Sequence, residues 1–292
     1  MKISRLDLDG TGSPLGLVTR ILQVESYLPI PVPVEALCAN LDIIKIDDLE
    51  TEGFEAALVT DENKANGAIL VAKGRSRQRR RYSIGHELGH FLIPTHVPGR
   101  EGQILCSRGD MLRLDIKEQD RRKRMEAEAN LFAATLLMPP PVLRSELAKA
   151  GTPDLTKFVA LANLFDVSKQ ALARQYVSYH REAVAIIQTR HGRVVNCYRD
   201  SRKFPWIDVA PNGAVPPGSV AHGTAGFPGM MSDIAECESE LWLSISAART
   251  VASVSEQVLW QREGYAMIML HASVDDEEDR PSNDGPDQLR FR

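Results

Sequence analysis

Residues 79–96 read RRRYSIGHELGHFLIPTH, placing three histidines and one glutamate between His86 and His96. On an α-helix His86 and His90 project from one face a turn apart. Both imidazoles can then reach a single ion at about 2.0–2.1 Å. Glu87 follows the first histidine directly, where a carboxylate can reach a water molecule without itself being a ligand, as a general base must. Leu88, Phe91 and Leu92 can bury the other faces of the helix. Gly89 is expected to admit a neighbouring strand or a substrate backbone.

A hydrolytic metal site needs a third protein ligand and keeps one position open. His96 lies ten residues after His86, the spacing of the pattern H-E-x-x-H-x-x-G-x-x-H. That pattern needs glycine at position 93 to turn the chain back, and this chain has Ile93 followed by Pro94. A β-branched residue tolerates positive φ poorly, and proline fixes its own φ negative. His96 is therefore expected on a loop surface, not in the ligand set. Farther on, MEAEANLFAATLLM (125–138) places Ala129, Ala133 and Leu137 on the helical stripe that starts at Glu126. A carboxylate on that buried face is costly unless it is paired or coordinating. Glu126 is thus the expected third ligand. Asn130, one turn on, is expected to hydrogen-bond a ligating histidine from behind. Glu128 points to the other side and reads as solvated.

Outward from these helices, DIIKID, FEAALVT and GAILVAK (within residues 42–73) read as short strands, with DENKANG as a hairpin loop. The basic run KGRSRQRRR (73–81) reads as a solvated or substrate-steering face in preference to a nucleic-acid patch. The histidine helix is expected from Tyr82 to Pro94, residues 95–115 as loop, and the second helix from Ile116 to Leu137. LANLFDVSKQALARQY (161–176) has the outline of a helix-turn-helix. Its second helix offers only Lys169 and Arg174 as early cations, so DNA contact is not favoured. After residue 182, AVAIIQT and RVVNCY flank RHG as a hairpin, and ELWLSIS, SEQVLWQRE and YAMIMLHA read as further strands. Residues 274–292 are acidic and almost without apolar side chains, a composition that predicts disorder.

With 292 residues, 43% of them hydrophobic and 25% charged, the chain can build more than one core. A net charge of −4 argues against a protein built to coat nucleic acid. The N-terminal segment has no apolar signal region, and no apolar run approaches the roughly 20 residues that span a bilayer, so a cytoplasmic location without membrane attachment is expected. Cys38, Cys106, Cys197 and Cys237 include no C-x-x-C pair and predict packed or incidental thiols.

RRRYSIGHELGHFLIP followed about forty residues later by EAEANLFAATLLMP resembles the ImmA/IrrE family of bacterial metallopeptidases. Its E-x-x-A-N-x-F-A-x-x-L-L-M-P helix finds Glu126, Ala129, Asn130, Phe132, Ala133, Leu136, Leu137, Met138 and Pro139 in register. PVPVEALCANLDI upstream is also similar, and the resemblance covers roughly residues 25–180; LIPTH departs from the family pattern. The resemblance implies zinc (with Mn2+ or another divalent ion as alternatives) held by His86, His90 and Glu126, with Glu87 as catalytic acid/base. Tyr82, Arg81 and His96 are the candidates for stabilising an oxyanion.

The fold class expected is α+β. A zincin-like metallopeptidase domain would occupy 1–150, a helix-turn-helix-like helical bridge 151–182, a C-terminal α+β sensor domain of GAF/PAS-like type 183–273, and a disordered tail 274–292. The resemblance further implies a protein substrate, a helix-turn-helix transcriptional repressor whose cleavage switches on stress-response or mobile-element genes, and a small-molecule signal at the C-terminal domain. The alternative is a DNA-binding regulator with a structural or inactive metal site.

Overall fold

The computed structural model describes residues 1–97, 103–106, 121–223 and 226–273. The chain divides into two compact units, Met1–His180 and a second beginning at Arg181. In the first, α1 (Pro14–Val24) and α2 (Val34–Asn40) precede strands β1 (Ile43–Leu49), β2 (Ala56–Thr60) and β3 (Gly67–Ala72). Then come α3 (Arg77–Leu92), β4 (Gln103–Cys106), α4 (Arg121–Leu137), α5 (Pro140–Ala150), α6 (Leu155–Phe165) and α7 (Lys169–Tyr179). The sheet order is β1-β3-β2-β4, with β1 parallel to β3 and the other pairs antiparallel. This is a mixed α+β unit with a small sheet.

Helix α3 is the centre of the unit. Every residue from Ser83 to Phe91 is buried, as expected of a helix covered on all sides. It packs on β2 and β3 and against α4. Small residues set that approach: a Cβ added at Gly89 would lie 3.0 Å from Phe132 Cδ1 and 3.3 Å from Ala129 Cα. Gly89 therefore admits α4, not a strand or a substrate. The stripe expected on α4 is buried as read, with Ala129, Ala133 and Leu137 fully inaccessible.

The sequence places the start of α3 too late. Ser76 caps it, its hydroxyl accepting from Arg79 N at 3.3 Å, so much of the basic run lies on the first turns of the helix. Its charges are spent on ion pairs. Arg75 and Arg79 both reach the buried Glu55, Arg80 reaches Glu35 and Asp48, and Arg77 and Arg81 reach Asp166 at 2.7 and 3.2 Å. Asp166, in the left-handed region (φ 50°), ends α6. The arginines thus tie the entry of α3 to the sheet and to the α6–α7 turn, which leaves the run poorly placed to neutralise phosphates.

In the second unit β5 (Ala183–Arg190) and β6 (Arg193–Arg199) form the expected hairpin, its turn made by His191 and Gly192 at φ 49° and 72°. β7 (Ala235–Cys237), α8 (Ile245–Ala248), β8 (Ser253–Trp260) and β9 (Tyr265–Ser273) complete an antiparallel sheet ordered β6-β5-β9-β8-β7. ELWLSIS is not a strand: a 3-10 turn over Ser239–Leu241 and then α8 take its place. Its indole explains why. Trp242 is fully buried and donates Nε1–H to Glu256 Oε2 at 3.0 Å, while Ser219 Oγ donates to the other oxygen at 2.6 Å. Anchoring one large side chain in the core outweighs weak strand alternation. The expected disordered tail and the start of the second helix at Ile116 lie outside the described residues.

Candidate metal centre

His86 and His90 come from successive turns of α3, and Glu126 comes from the first half of α4. Their ligand atoms converge. His86 Nε2 is 3.1 Å from His90 Nε2, and Glu126 Oε2 lies 3.2 and 3.5 Å from the two nitrogens. Two imidazole nitrogens and a carboxylate oxygen this close require a shared positive charge, a proton or a metal ion. Both histidines are fully buried and Glu126 is 4% exposed, so water supplies little compensation. Burial alone would raise the Glu126 pKa, but the two imidazoles against its carboxylate hold it well below the usual carboxylate range. Burial pushes His90 down to about 3, which keeps its imidazole neutral and its lone pair available.

The opposite ring edges show how the two histidines are aimed. His86 Nδ1 is 2.9 Å from Asn130 Oδ1, an atom that only accepts, so Nδ1 carries the proton and Nε2 offers its lone pair. The Tyr82 hydroxyl donates to the same Oδ1 at 3.1 Å. For His90 the support is His96, Nδ1 to Nδ1 at 3.0 Å, and His96 Nε2 in turn meets Glu128 Oε2 at 2.9 Å. Protons placed on His90 Nδ1 and His96 Nε2 satisfy the whole chain and again leave His90 Nε2 unprotonated. His96 is fully buried, not a loop-surface residue, and Glu128 is its partner, not a solvated acid. The reason is Ile93: with φ −76° it lets the chain leave α3 in extended form and fold His96 behind His90 instead of beside His86.

His96→Ala should therefore weaken divalent-metal affinity by about 10–100-fold, the usual cost of losing an outer support. Glu128→Gln, which keeps an accepting oxygen, should cost less. Competition against a chromophoric chelator reads both; equal affinities for wild type and His96→Ala would show that the chain has no bearing on the ligand.

Glu87 faces this group from the same turn as His86. It is wholly buried, and neither carboxylate oxygen has a hydrogen-bond partner of good geometry among the described residues. Burial raises its pKa to about 7. A buried carboxyl left without a partner is costly and rare, and such groups cluster where proton transfer is done. The helix end is fixed by Lys64, whose Nζ donates to the carbonyls of His90 and Ile93 at 2.7 and 2.8 Å. A cation there also suits the negative end of the helix dipole.

Two of the oxyanion candidates are engaged elsewhere. Arg81 is held by Asp166 and by the Val32 carbonyl at 2.9 Å, and the Tyr82 hydroxyl by Asn130. Both nitrogens of His96 are occupied as described. None of the three is presented to the cluster as an unengaged donor. Sequence reasoning also missed Cys106. Its sulfur lies 3.6 Å from His90 Nε2 and 4.0 Å from Glu126 Oε1, and His86, His90, Cys106 and Glu126 together offer ligand atoms all within 4.8 Å of one another. The thiol is fully buried, as a packed cysteine is, and it is packed against this cluster. A loop was expected at 95–115, and only the period-two pairing of Ile104 with Cys106 in QILC hints at the four-residue β4.

Residues 44–176 match the family model Peptidase_M78, described as the IrrE N-terminal-like domain. This domain belongs to the ImmA/IrrE family. Members are metal-dependent peptidases, and the matched span contains every residue of the cluster described above. Among solved structures, a Mycobacterium tuberculosis transcriptional regulator is similar at 13% identity with a TM-score of 0.49, the match covering 82% of this chain and 69% of that one. No match was found among curated proteins. Within the described residues no helix of the IrrE-like domain or of the second unit is long and apolar enough to cross a membrane.

Proposed function

We propose that the chain is a zinc-dependent endopeptidase of the cytoplasm that cleaves a helix-turn-helix transcriptional repressor and so switches on stress-response or mobile-element genes. The observation that carries this reading is the pairing of a three-donor cluster, His86, His90 and Glu126, with a buried, unpartnered Glu87 beside it. Imidazole and carboxylate donors suit zinc, and Mn2+ or another divalent ion is the alternative. When bound in such a set, a divalent cation acidifies water and polarises a peptide carbonyl.

The protein's own groups supply the rest. Asn130 and His96 fix the histidine tautomers, so both Nε2 lone pairs point inward. Glu87 takes the proton from the attacking water and delivers it to the leaving amine. The α6–α7 pair serves as a helix-turn-helix-like bridge within the first unit, and the second unit, an antiparallel sheet on its own core, serves as a GAF-like sensor of a small-molecule signal.

The test is incubation of the zinc-loaded chain with the repressor encoded by a neighbouring gene. The expected result is a single cut that disappears with a chelator and returns with added zinc. A repressor left intact at full zinc loading by the chain and by its Cys106→Ser variant alike would contradict the reading. One observation favours a second reading, a DNA-binding regulator with a structural metal site: a buried thiol stands where a fourth ligand would stand.

A further inference from the structure

We propose that Cys106 is a fourth donor to the cation held by His86, His90 and Glu126, so that the site as folded is closed and becomes open only when the sulfur leaves. The inference deepens the peptidase reading and rests on it only for the consequence, that the enzyme is latent.

The geometry is that of a tetrahedron's edges. Four donors at the usual zinc–nitrogen, zinc–oxygen and zinc–sulfur lengths stand about 3.3–3.6 Å apart around one ion. The observed separations are 3.1 Å between the imidazole nitrogens, 3.2 and 3.5 Å from these to Glu126 Oε2, and 3.6 Å from His90 Nε2 to the sulfur. The sulfur is 4.0 Å from Glu126 Oε1, and the ligand atoms of all four residues lie within 4.8 Å of one another.

Charge balance points the same way. Two neutral imidazoles, one carboxylate and one thiolate neutralise a divalent cation completely, and a neutral assembly is the least costly one to bury in a region as dry as this. Cys106 is fully inaccessible, and its sulfur is turned toward His90 and Glu126. Glu87 is the second, independent observation. It is wholly buried with no hydrogen-bond partner of good geometry among the described residues, and the Cys106 thiol is among the groups that act on its carboxyl.

The backbone explains both why the thiol is held and how it could be released. Cys106 pairs with Ala56 in β2, and its carbonyl accepts from Glu55 N at 2.9 Å. The Glu55 side chain is pinned by Arg75 and by Arg79 of α3. This tethers the end of β4 to the helix that carries both histidines. Yet β4 is the edge strand and pairs only with β2 among the described residues, so its end can move without breaking the rest of the sheet. With the sulfur displaced and protonated from solvent, His86, His90 and Glu126 would still hold the ion and leave a position for water.

Cobalt(II) reports the donor set directly. The cobalt-loaded full chain should show a thiolate-to-cobalt charge-transfer band in the near ultraviolet. The band should vanish in Cys106→Ser while the visible d–d bands persist, and it should survive in Cys38→Ser. Acetohydroxamate, a probe for an open position, should bind cobalt-loaded Cys106→Ser at least about 10-fold more tightly than wild type, as for a wild-type site open in a tenth or less of the molecules. Cobalt-loaded wild type without the charge-transfer band would overturn the inference and leave the peptidase reading intact, and this arm does not depend on any variant folding. Equal acetohydroxamate affinities would overturn closure. Failure of the peptidase reading would register elsewhere, as a Cys106→Ser enzyme with the expected spectra that leaves the repressor uncut.

Discussion

Glu87→Gln should bind its metal within a few-fold of wild type and cleave substrate at least about 100-fold more slowly, the usual contribution of a positioned acid/base. The substitution keeps shape and volume and removes only the ability to hold a proton. Glu87 lies outside the group of converging ligand atoms, so the donor set is untouched. Stability gives an independent readout. Burying an unpartnered carboxyl costs free energy, so the glutamine variant should unfold at a temperature equal to or above that of wild type. The comparison belongs in both the wild-type and the Cys106→Ser backgrounds, so that a closed site cannot mask the effect. Cleavage at the parental rate in either background would remove Glu87 from the mechanism.

Glu126→Gln should act on the other half of the chemistry, lowering metal affinity by at least about 100-fold, beyond the range typical of outer-shell losses. The amide keeps the volume but removes the only carboxylate oxygen among the described residues within 3.5 Å of both histidine Nε2 atoms. Thermal unfolding should show it as well. An ion present at about 1,000 times its Kd stabilises a native state by about 4 kcal/mol. Wild type should therefore melt at a distinctly higher temperature with zinc than with chelator, and Glu126→Gln should show little of that shift. A variant with the full zinc-dependent shift would exclude Glu126 as a ligand.

The residues that converge on this centre were legible in the sequence to the extent that helical periodicity carried them. His86 and His90 face one way because they are four residues apart, and Glu126 faces them because Ala129, Ala133 and Leu137 define the buried stripe of α4. Asn130, one turn from Glu126, follows from the same geometry. What escaped the sequence is contact made across short, irregular segments. β4 has four residues and follows a stretch with no strong pattern, so nothing announced that Cys106 would reach the histidines. His96 was rightly excluded from a metzincin-like turn by Ile93, but the same extended exit buries it against His90, a consequence that local φ preferences do not convey. The basic run reads as a surface because its partners, Glu35, Asp48, Glu55 and Asp166, are scattered from position 35 to position 166 of the sequence. In the second unit, ELWLSIS looked like a strand until tertiary burial of Trp242 overrode its alternation.

Whether one cation is gathered by these side chains is decided most directly by anomalous diffraction from crystals of the zinc-loaded protein, with data collected on both sides of the zinc absorption edge. The account predicts a single strong anomalous peak per chain, within coordinating distance of His86 Nε2, His90 Nε2 and a Glu126 carboxylate oxygen. A peak elsewhere, or none at these three atoms in fully loaded protein, would contradict it.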